Sequence, residues 1–433
     1  AQSLHEWGYQ VSPKMLALKG RVLPTENVKF KESQVKVSAQ ASWDIRSTPI
    51  LKGVTIANWF VIAPPKSKAD AENFVKVMLD VARPLEINFN QPNIIEAQNF
   101  NTDYARILKS NIKSGTTQLV MVILPNDKKE LYDEVKRICV TECPVASQCV
   151  VKRTITNPKG LQSKATKVAI QIAAKVGGAP WSLDMKLKIP TMFVGMDVYH
   201  SGEIVKKVKK SVVGFTASMN ASVTSYYSRV MIQDAGREIV EELKPSMIAS
   251  MNKFMEVNNK YPRNIVFYRD GVGEGQVESV VQQEVKACLA AMEELGIKES
   301  CKLTFVVVLK RINTRLFLQS DRMGGALENP RPGTIVDSDI TGPGALEFFL
   351  VSQSVNQGTA TPTRYQCILN DCNLSTDILQ SLTYKLCHMY FNWFGTVRVP
   401  APCMFAHKIA FLFGQSGLSE DKQRRLHDKL FYL

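Results

Sequence analysis

The chain has 433 residues, too many for one core and suited to two or three. Its 54 Lys and Arg against 40 Asp and Glu leave a formal charge of +14, which favours a polyanionic partner, nucleic acid before membrane. No apolar run approaches the ~20 residues of a membrane span. No signal-peptide pattern opens the chain, and nine scattered cysteines, an odd number, fit an intracellular reducing compartment.

Residues 1–50 read as a linker arm, with Pro13, Pro24 and Pro49 and short alternating stretches such as Val35-Lys36-Val37. The chain opens at Ala1 without Met, as a fragment or a processed form would. An α/β pattern starts at Asn58–Ala63, a strand stopped by Pro64-Pro65, and a helix is expected over 69–82 with Phe74, Val75, Met78 and Leu79 on its apolar side. Leu119–Leu124 is continuously apolar, as a central parallel strand is. Asp127 and Glu130 have the spacing of a capping box and open a helix to about Val140. A further helix over 162–176 stops at Gly177-Gly178. Residues 51–185 therefore read as a small α/β domain.

The segment 186–433 begins with strands 192–199, 211–220 and 225–233, an antiparallel meander. An amphipathic helix over 237–257, a strand at 263–269, a helix over 275–295 and a strand at 303–309 follow, and a last helix spans about 403–413. Meander, helix, strand, helix, strand is the order of a ribonuclease-H-like fold, so the fold class is α/β in both halves. There is no internal repeat and no low-complexity tract.

Asp197 closes the run Met192–Met196, and Asp270 closes Asn264–Arg269. Both sit where α/β sheets place ligands, at the carboxyl ends of strands, and a charge there is costly unless paired or metal-bound. One such Asp is usually a cap or a turn residue. Two of them, each followed by turn residues (Tyr199-His200-Ser201-Gly202 and Gly271-Val272-Gly273), point to a shared cation that leaves room for a phosphate. Glu238, at the start of a helix, reads on its own as favourable placement at the dipole's positive end. His407, alone on an apolar helix, reads as a core histidine.

Tyr132 and Lys136 are i and i+4, as are Gln171 and Lys175, with Gln148 between the two pairs. Together they suit a terminal phosphate and the base stacked beside it, while each pair taken separately reads as a solvated helix face. Cys139, Cys143 and Cys149, like Cys403 beside His407, lack the paired spacing of a zinc site and read as small apolar groups.

Taken together these segments resemble the Argonaute superfamily, in its animal Piwi branch. Tyr132–Arg137, Gln148-Cys149-Val150 and Gln171–Gly178 are similar to the pocket for a guide 5′ phosphate in the family's Mid domain. Gly195–His200 and Tyr268–Val272 resemble the two catalytic strands of the Piwi domain. Gly333–Asp337, Leu382–His388, Arg398–His407 and the terminal Phe431-Tyr432-Leu433 extend the likeness over nearly the whole chain.

The resemblance implies a Rossmann-like Mid domain at 51–185 and a ribonuclease-H-like Piwi domain at 186–433. It makes Asp197, Glu238, Asp270 and His407 catalytic, with magnesium (manganese as the alternative) on Asp197, Asp270 and His407, and Glu238 as an inserted glutamate. Tyr132, Lys136, Gln148, Gln171 and Lys175 would hold the guide 5′ phosphate. Gln171 stands where Argonautes proper usually have Lys, so a second magnesium on Gln148 and the carboxylate of Leu433 would take over that charge. Many relatives carry an acidic residue at Ser201, which is not one of the four. The family's N-terminal and PAZ domains are not in this chain, so it is expected to hold a guide's 5′ end but not its 3′ end.

The implied function is that of a piRNA-guided silencing protein that cleaves complementary target RNA, as in transposon silencing in the germline. It would act as a monomer with silencing partner proteins, away from membranes, in cytoplasmic perinuclear granules or the nucleus. Two other readings stand beside it. One is a guide-binding module that silences through partners without cutting. The other is a ribonuclease-H-like integrase or transposase, against which the phosphate-pocket motifs speak.

Overall fold

The computed structural model describes residues 6–99, 102–205, 208–234, 240, 242–319, 327–342, 344–418 and 426–433. The arm contributes a short strand, β1 (Arg21–Val22). The first α/β unit then runs β2 (Trp59–Ala63), α1 (Lys68–Ala82), β3 (Asn93–Glu96), α2 (Asp103–Asn111), β4 (Leu119–Leu124), α3 (Lys129–Arg137), β5 (Ala146–Val151) and α4 (Leu161–Val176). Its four strands are parallel in the order β3-β2-β4-β5. β4 is buried at all six positions because helices cover both faces. Val61 and Met121 pack toward α1 and α4, whereas Ile62 and Val122 pack toward α2 and α3.

One expected device fails here. Asn126 Oδ1 accepts from the Lys128 N–H at 3.0 Å, an Asx turn that starts α3 at Lys129. Asp127 points away and pairs with Arg153 at 3.1 Å, so it does not cap the helix.

The second sheet has nine strands: β6 (Thr191–Val205), β7 (Val208–Ser218), β8 (Tyr226–Asp234), β9 (Asn264–Asp270), β10 (Lys302–Leu309), β11 (Thr334–Val336), β12 (Glu347–Val351) and β13 (Thr363–Asn370), joined at one edge by β1. Their order is β1-β11-β12-β13-β10-β9-β6-β7-β8. β6, β7 and β8 form the expected antiparallel meander, and β6, β9 and β10 run parallel. Helices α5 (Leu243–Asn258) and α6 (Lys286–Glu294) cover the face of Met192, Val194, Phe267 and Val307. Helices α7 (Thr376–Leu386) and α8 (Ala401–Ser416) cover the face of Phe193, Tyr268 and Val308, in a core shared with the first sheet.

Three differences from the sequence reading matter. The arm is not only a linker, since Arg21 and Val22 pair with Ile335 and Thr334 and extend the large sheet. The helix expected over 237–257 begins at Leu243 among the described residues. The helix expected over 275–295 is interrupted by a π-helical turn at Val281–Val285. The arm also carries Trp43, whose ring meets Trp181 edge-on at 5.3 Å, while Trp181 donates to the His388 carbonyl at 2.9 Å.

Candidate active site

Side chains on a strand alternate faces. Phe193, Gly195 and Asp197 therefore look the same way, toward α8. In the β6–β7 register Asp197 lies opposite Gly214. Helix α8 rests on that spot: a Cβ at Gly214 would stand 2.0 Å from the Ala406 carbonyl oxygen, and one at Gly195 2.2 Å from the carbonyl carbon of Pro402. Thr216 fastens the start of the helix through its hydroxyl to the Pro402 carbonyl at 2.9 Å. This close approach brings His407, next after Ala406, onto Asp197, and its Nδ1 donates to Asp197 Oδ2 at 2.7 Å. Two residues 210 apart in sequence thus meet.

Asp270 ends the neighbouring strand on the same face. The chain turns at Gly271 with φ +86°, and a Cβ there would lie 2.8 Å from Asp197 Oδ1, so only glycine fits between the two carboxylates. Asp270 Oδ1 accepts the Gly271 N–H at 2.8 Å. Its Oδ2 faces Lys310 Nζ at 2.7 Å. That ammonium lies off the hydrogen-bonding direction, and the buried oxygen has no hydrogen-bond donor. Arg269, fully buried, braces the strand end from behind: it clasps Glu284 at 2.8 and 2.9 Å and donates to the Asp270 carbonyl at 2.5 Å.

The charges follow from these contacts. Burial opposes ionisation of Asp197, but the His407 bond and the nearby charges of Lys310 and Arg269 outweigh it and hold the carboxyl below its ordinary value. Asp270 is pushed up to about 6, by burial first and by the Asp197 charge second, against Lys310. Burial opposes the Lys310 charge, but Asp270 and Asp197 more than compensate, and its pKa is raised. Two adjacent carboxylates pushed apart in acidity are a recognised mark of a functional site.

The donor set suits a hard divalent cation: two buried carboxylates side by side, one with an oxygen lacking a hydrogen bond. Among the described residues no group of three His, Cys, Asp or Glu side chains is spaced to hold an ion. Lys310 is the cation that faces Asp270 instead. Glu238 lies outside the described residues.

A second cluster lies between α3, β5 and α4. Lys136 and Lys175 are 3% and 1% exposed, and both point at Ser147. Lys136 Nζ reaches Ser147 Oγ at 2.9 Å and its carbonyl at 3.3 Å, and Lys175 Nζ reaches the same carbonyl at 2.9 Å. Lys175 also donates to Gln148 Oε1 at 2.8 Å, and Gln148 Nε2 donates to Gln171 Oε1 at 3.3 Å. The Tyr132 ring lies 5.6 Å from Lys136 Nζ. No described carboxylate pairs with either lysine, and burial first, then the charge of Lys136, holds Lys175 well below its ordinary value. Two buried lysines without a described acid partner would be stabilised in their charged forms by an anion between them. Leu433 packs against the same core as Tyr132, and its N–H meets the Leu430 carbonyl at 3.1 Å. It shows no described contact with Gln148.

The fold thus assembles Asp197, Asp270 and His407 in one place and Tyr132, Lys136, Gln148, Gln171 and Lys175 in another. The two places are tied through α8, whose Ser416 donates to Asp133 on α3 at 2.7 Å. Sequence reasoning missed Lys310, Arg269 and Glu284. Lys310 carried the same signal as the two aspartates, a charge directly after an apolar strand, and Arg269 was a charge within one.

The sequence matches the Piwi domain over residues 119–417. The chain belongs to the Piwi family. It is 38% identical over 433 residues to Piwi-like protein 1 of Danio rerio, covering 99% of this chain and 49% of that protein. It spans about half the length of such relatives. The crystal structure of Drosophila Piwi superposes with a TM-score of 0.88 at 31% identity, over 99% of this chain and 58% of that one. A Kluyveromyces polysporus Argonaute with a guide RNA superposes with a TM-score of 0.83 at 21% identity, over 96% of this chain and 56% of that one, a likeness of fold. The relatives place this Piwi chain in the animal Piwi-like branch, and the ribonuclease-H-like order of its large sheet agrees with the family.

Proposed function

We propose that the chain is the guide-holding and target-cutting part of a piRNA-guided silencing protein, with residues 51–185 as the Mid domain and 186–433 as the Piwi domain. One observation carries the reading: Asp197, Asp270 and His407, from three distant segments, converge where the parallel pairing of β6 and β9 stops. Base pairing between guide and target would select the sequence, and the protein would position the backbone.

At the cutting site Asp197, Asp270 and His407 would hold magnesium or manganese, with Glu238 completing the set. When bound, such an ion polarises a phosphoryl oxygen and makes water a nucleophile near neutral pH. His407 orients Asp197 through Nδ1. Arg269 and Glu284 fix the backbone of Asp270. At the other site Lys136 and Lys175 would neutralise a terminal 5′ phosphate, Gln148 and Gln171 would orient it, and Tyr132 would stack on the first base. The Leu433 carboxylate, with Gln148, would hold a second magnesium there. The Piwi-like relatives and the guide RNA held by the similar Kluyveromyces polysporus Argonaute support small-RNA-guided silencing, and silencing partner proteins belong to the same reading.

The test uses the whole protein, loaded with a 5′-phosphorylated guide and given a matched target in magnesium. Asp270→Ala lowers the cleavage rate by about a thousandfold, the several kcal/mol that metal-assisted chemistry supplies. Undiminished cutting overturns the reading. A native protein that binds the guide and leaves the target intact is instead a silencing module without nuclease activity.

A further inference from the structure

Three parallel strands lie side by side, and each presents one charge to the same face. β6 carries Asp197 just past the point where its pairing with β9 stops, and β9 ends at Asp270. β10 is followed directly by Lys310. Asp270 is in register with Val308, so Lys310, two residues on, looks to the same side. Its ammonium is the cation nearest the pair, 2.7 Å from Asp270 Oδ2.

The backbone and the side chain of Lys310 are held very differently. Its carbonyl accepts from Arg398 Nη2 at 2.5 Å, which fixes the strand end. Its side chain is 29% exposed while that of Asp270 is 0% exposed, so the ammonium has a way out to solvent and the carboxylate has none. A partly exposed cation on a long flexible stem, placed against a buried carboxylate, is replaceable.

We propose that Lys310 is the resident counter-cation of the Asp197–Asp270 pair and gives up its place when a divalent ion loads. The proposal rests on the metal reading above. Two buried carboxylates repel each other unless a positive charge lies near. Lys310 supplies that charge, so the pair is held together without needing a metal. An ammonium and a divalent ion compete for the same Asp270 oxygen, and Lys310 therefore sets how tightly the ion is held.

The experiment titrates this chain with Mn2+ and follows the loss of the free-ion signal by electron paramagnetic resonance, with Asp270→Asn marking binding at this site. Lys310→Met is expected to tighten the Asp270-dependent Mn2+ affinity by about tenfold or more, because the competitor is gone. In chelator the same variant melts at a lower temperature than the native chain, since Asp270 loses its ion-pair partner beside the Asp197 charge. Lys310→Arg keeps the charge, and its affinity and melting temperature stay close to native. Native binding of Mn2+ with an equal or weaker affinity in Lys310→Met overturns the exchange and leaves the metal site standing. Should neither native nor Lys310→Met protein bind any Mn2+ that Asp270→Asn removes, the metal reading fails and the exchange falls with it.

Discussion

Around Asp197 on β6 and Asp270 at the end of β9 the buried charges have partners within the chain: Asp197 has His407, Asp270 has Lys310, and Arg269 has Glu284. Between α3 and α4, Lys136 and Lys175 are buried as deeply, yet they share only the Ser147 carbonyl and neutral side-chain oxygens. The first site is balanced by folding itself. The second is left without an acid partner among the described residues, so its positive charge is relieved by an anion or by loss of the Lys175 proton. In the proposed function this difference has a use: a cutting site must hold its geometry before substrate arrives, whereas a phosphate anchor gains affinity from charge left unpaired.

That contrast can be broken in graded steps. The largest effect on stability is expected from Glu284→Gln, which leaves Arg269 buried without its acid. Removing one partner of a buried pair costs about 3–5 kcal/mol, read as a fall in the urea midpoint. Next comes Gly214→Ala. Its added methyl would meet the Ala406 carbonyl at 2.0 Å, so α8 shifts, at a cost of about 1–3 kcal/mol. His407 moves off Asp197, target cleavage falls, and affinity for 5′-phosphorylated RNA stays near native. Retention of full cleavage would show that the His407–Asp197 contact is dispensable.

The smallest effect is on the other side of the comparison. Lys175 has a depressed pKa, so between that value and 10.5 the folded chain binds fewer protons than the unfolded one. Stability must then rise with pH across that window, as the cost of the buried charge is relieved. Lys175→Met removes this slope, and its melting temperature relative to native is highest near pH 7 and declines toward pH 10. A native chain without the slope would mean that the lysine's charge is already compensated.

The sequence carried the two aspartates clearly because each follows a continuous apolar run, a setting in which a charge has few structural excuses, although the strand of Asp197 goes on to Val205. The pocket was legible through helical spacing, since i and i+4 pairs on α3 and α4 fix which side chains share a face. His407 was ambiguous, because α8 is apolar on most sides and only the close approach at Gly214 selects the residue that meets Asp197. Arg269 and Glu284 pair across a π-helical turn that no simple periodicity encodes. Strand β1 left no signal, because both its residues are exposed and the side-chain partners of Arg21, Asp337 and Asp377, lie more than 300 residues away in sequence. Asp127 misled because Asn126 captured the turn first.

The balance of charge in the pocket is tested most directly by measuring the affinity of one RNA sequence with a 5′ phosphate and with a 5′ hydroxyl, in magnesium, for native protein and for Lys175→Met. The expected result is a native preference for the phosphate of about tenfold to a hundredfold, the worth of one or two charge-assisted contacts, that largely disappears in Lys175→Met. Equal native affinity for the two ends would contradict it.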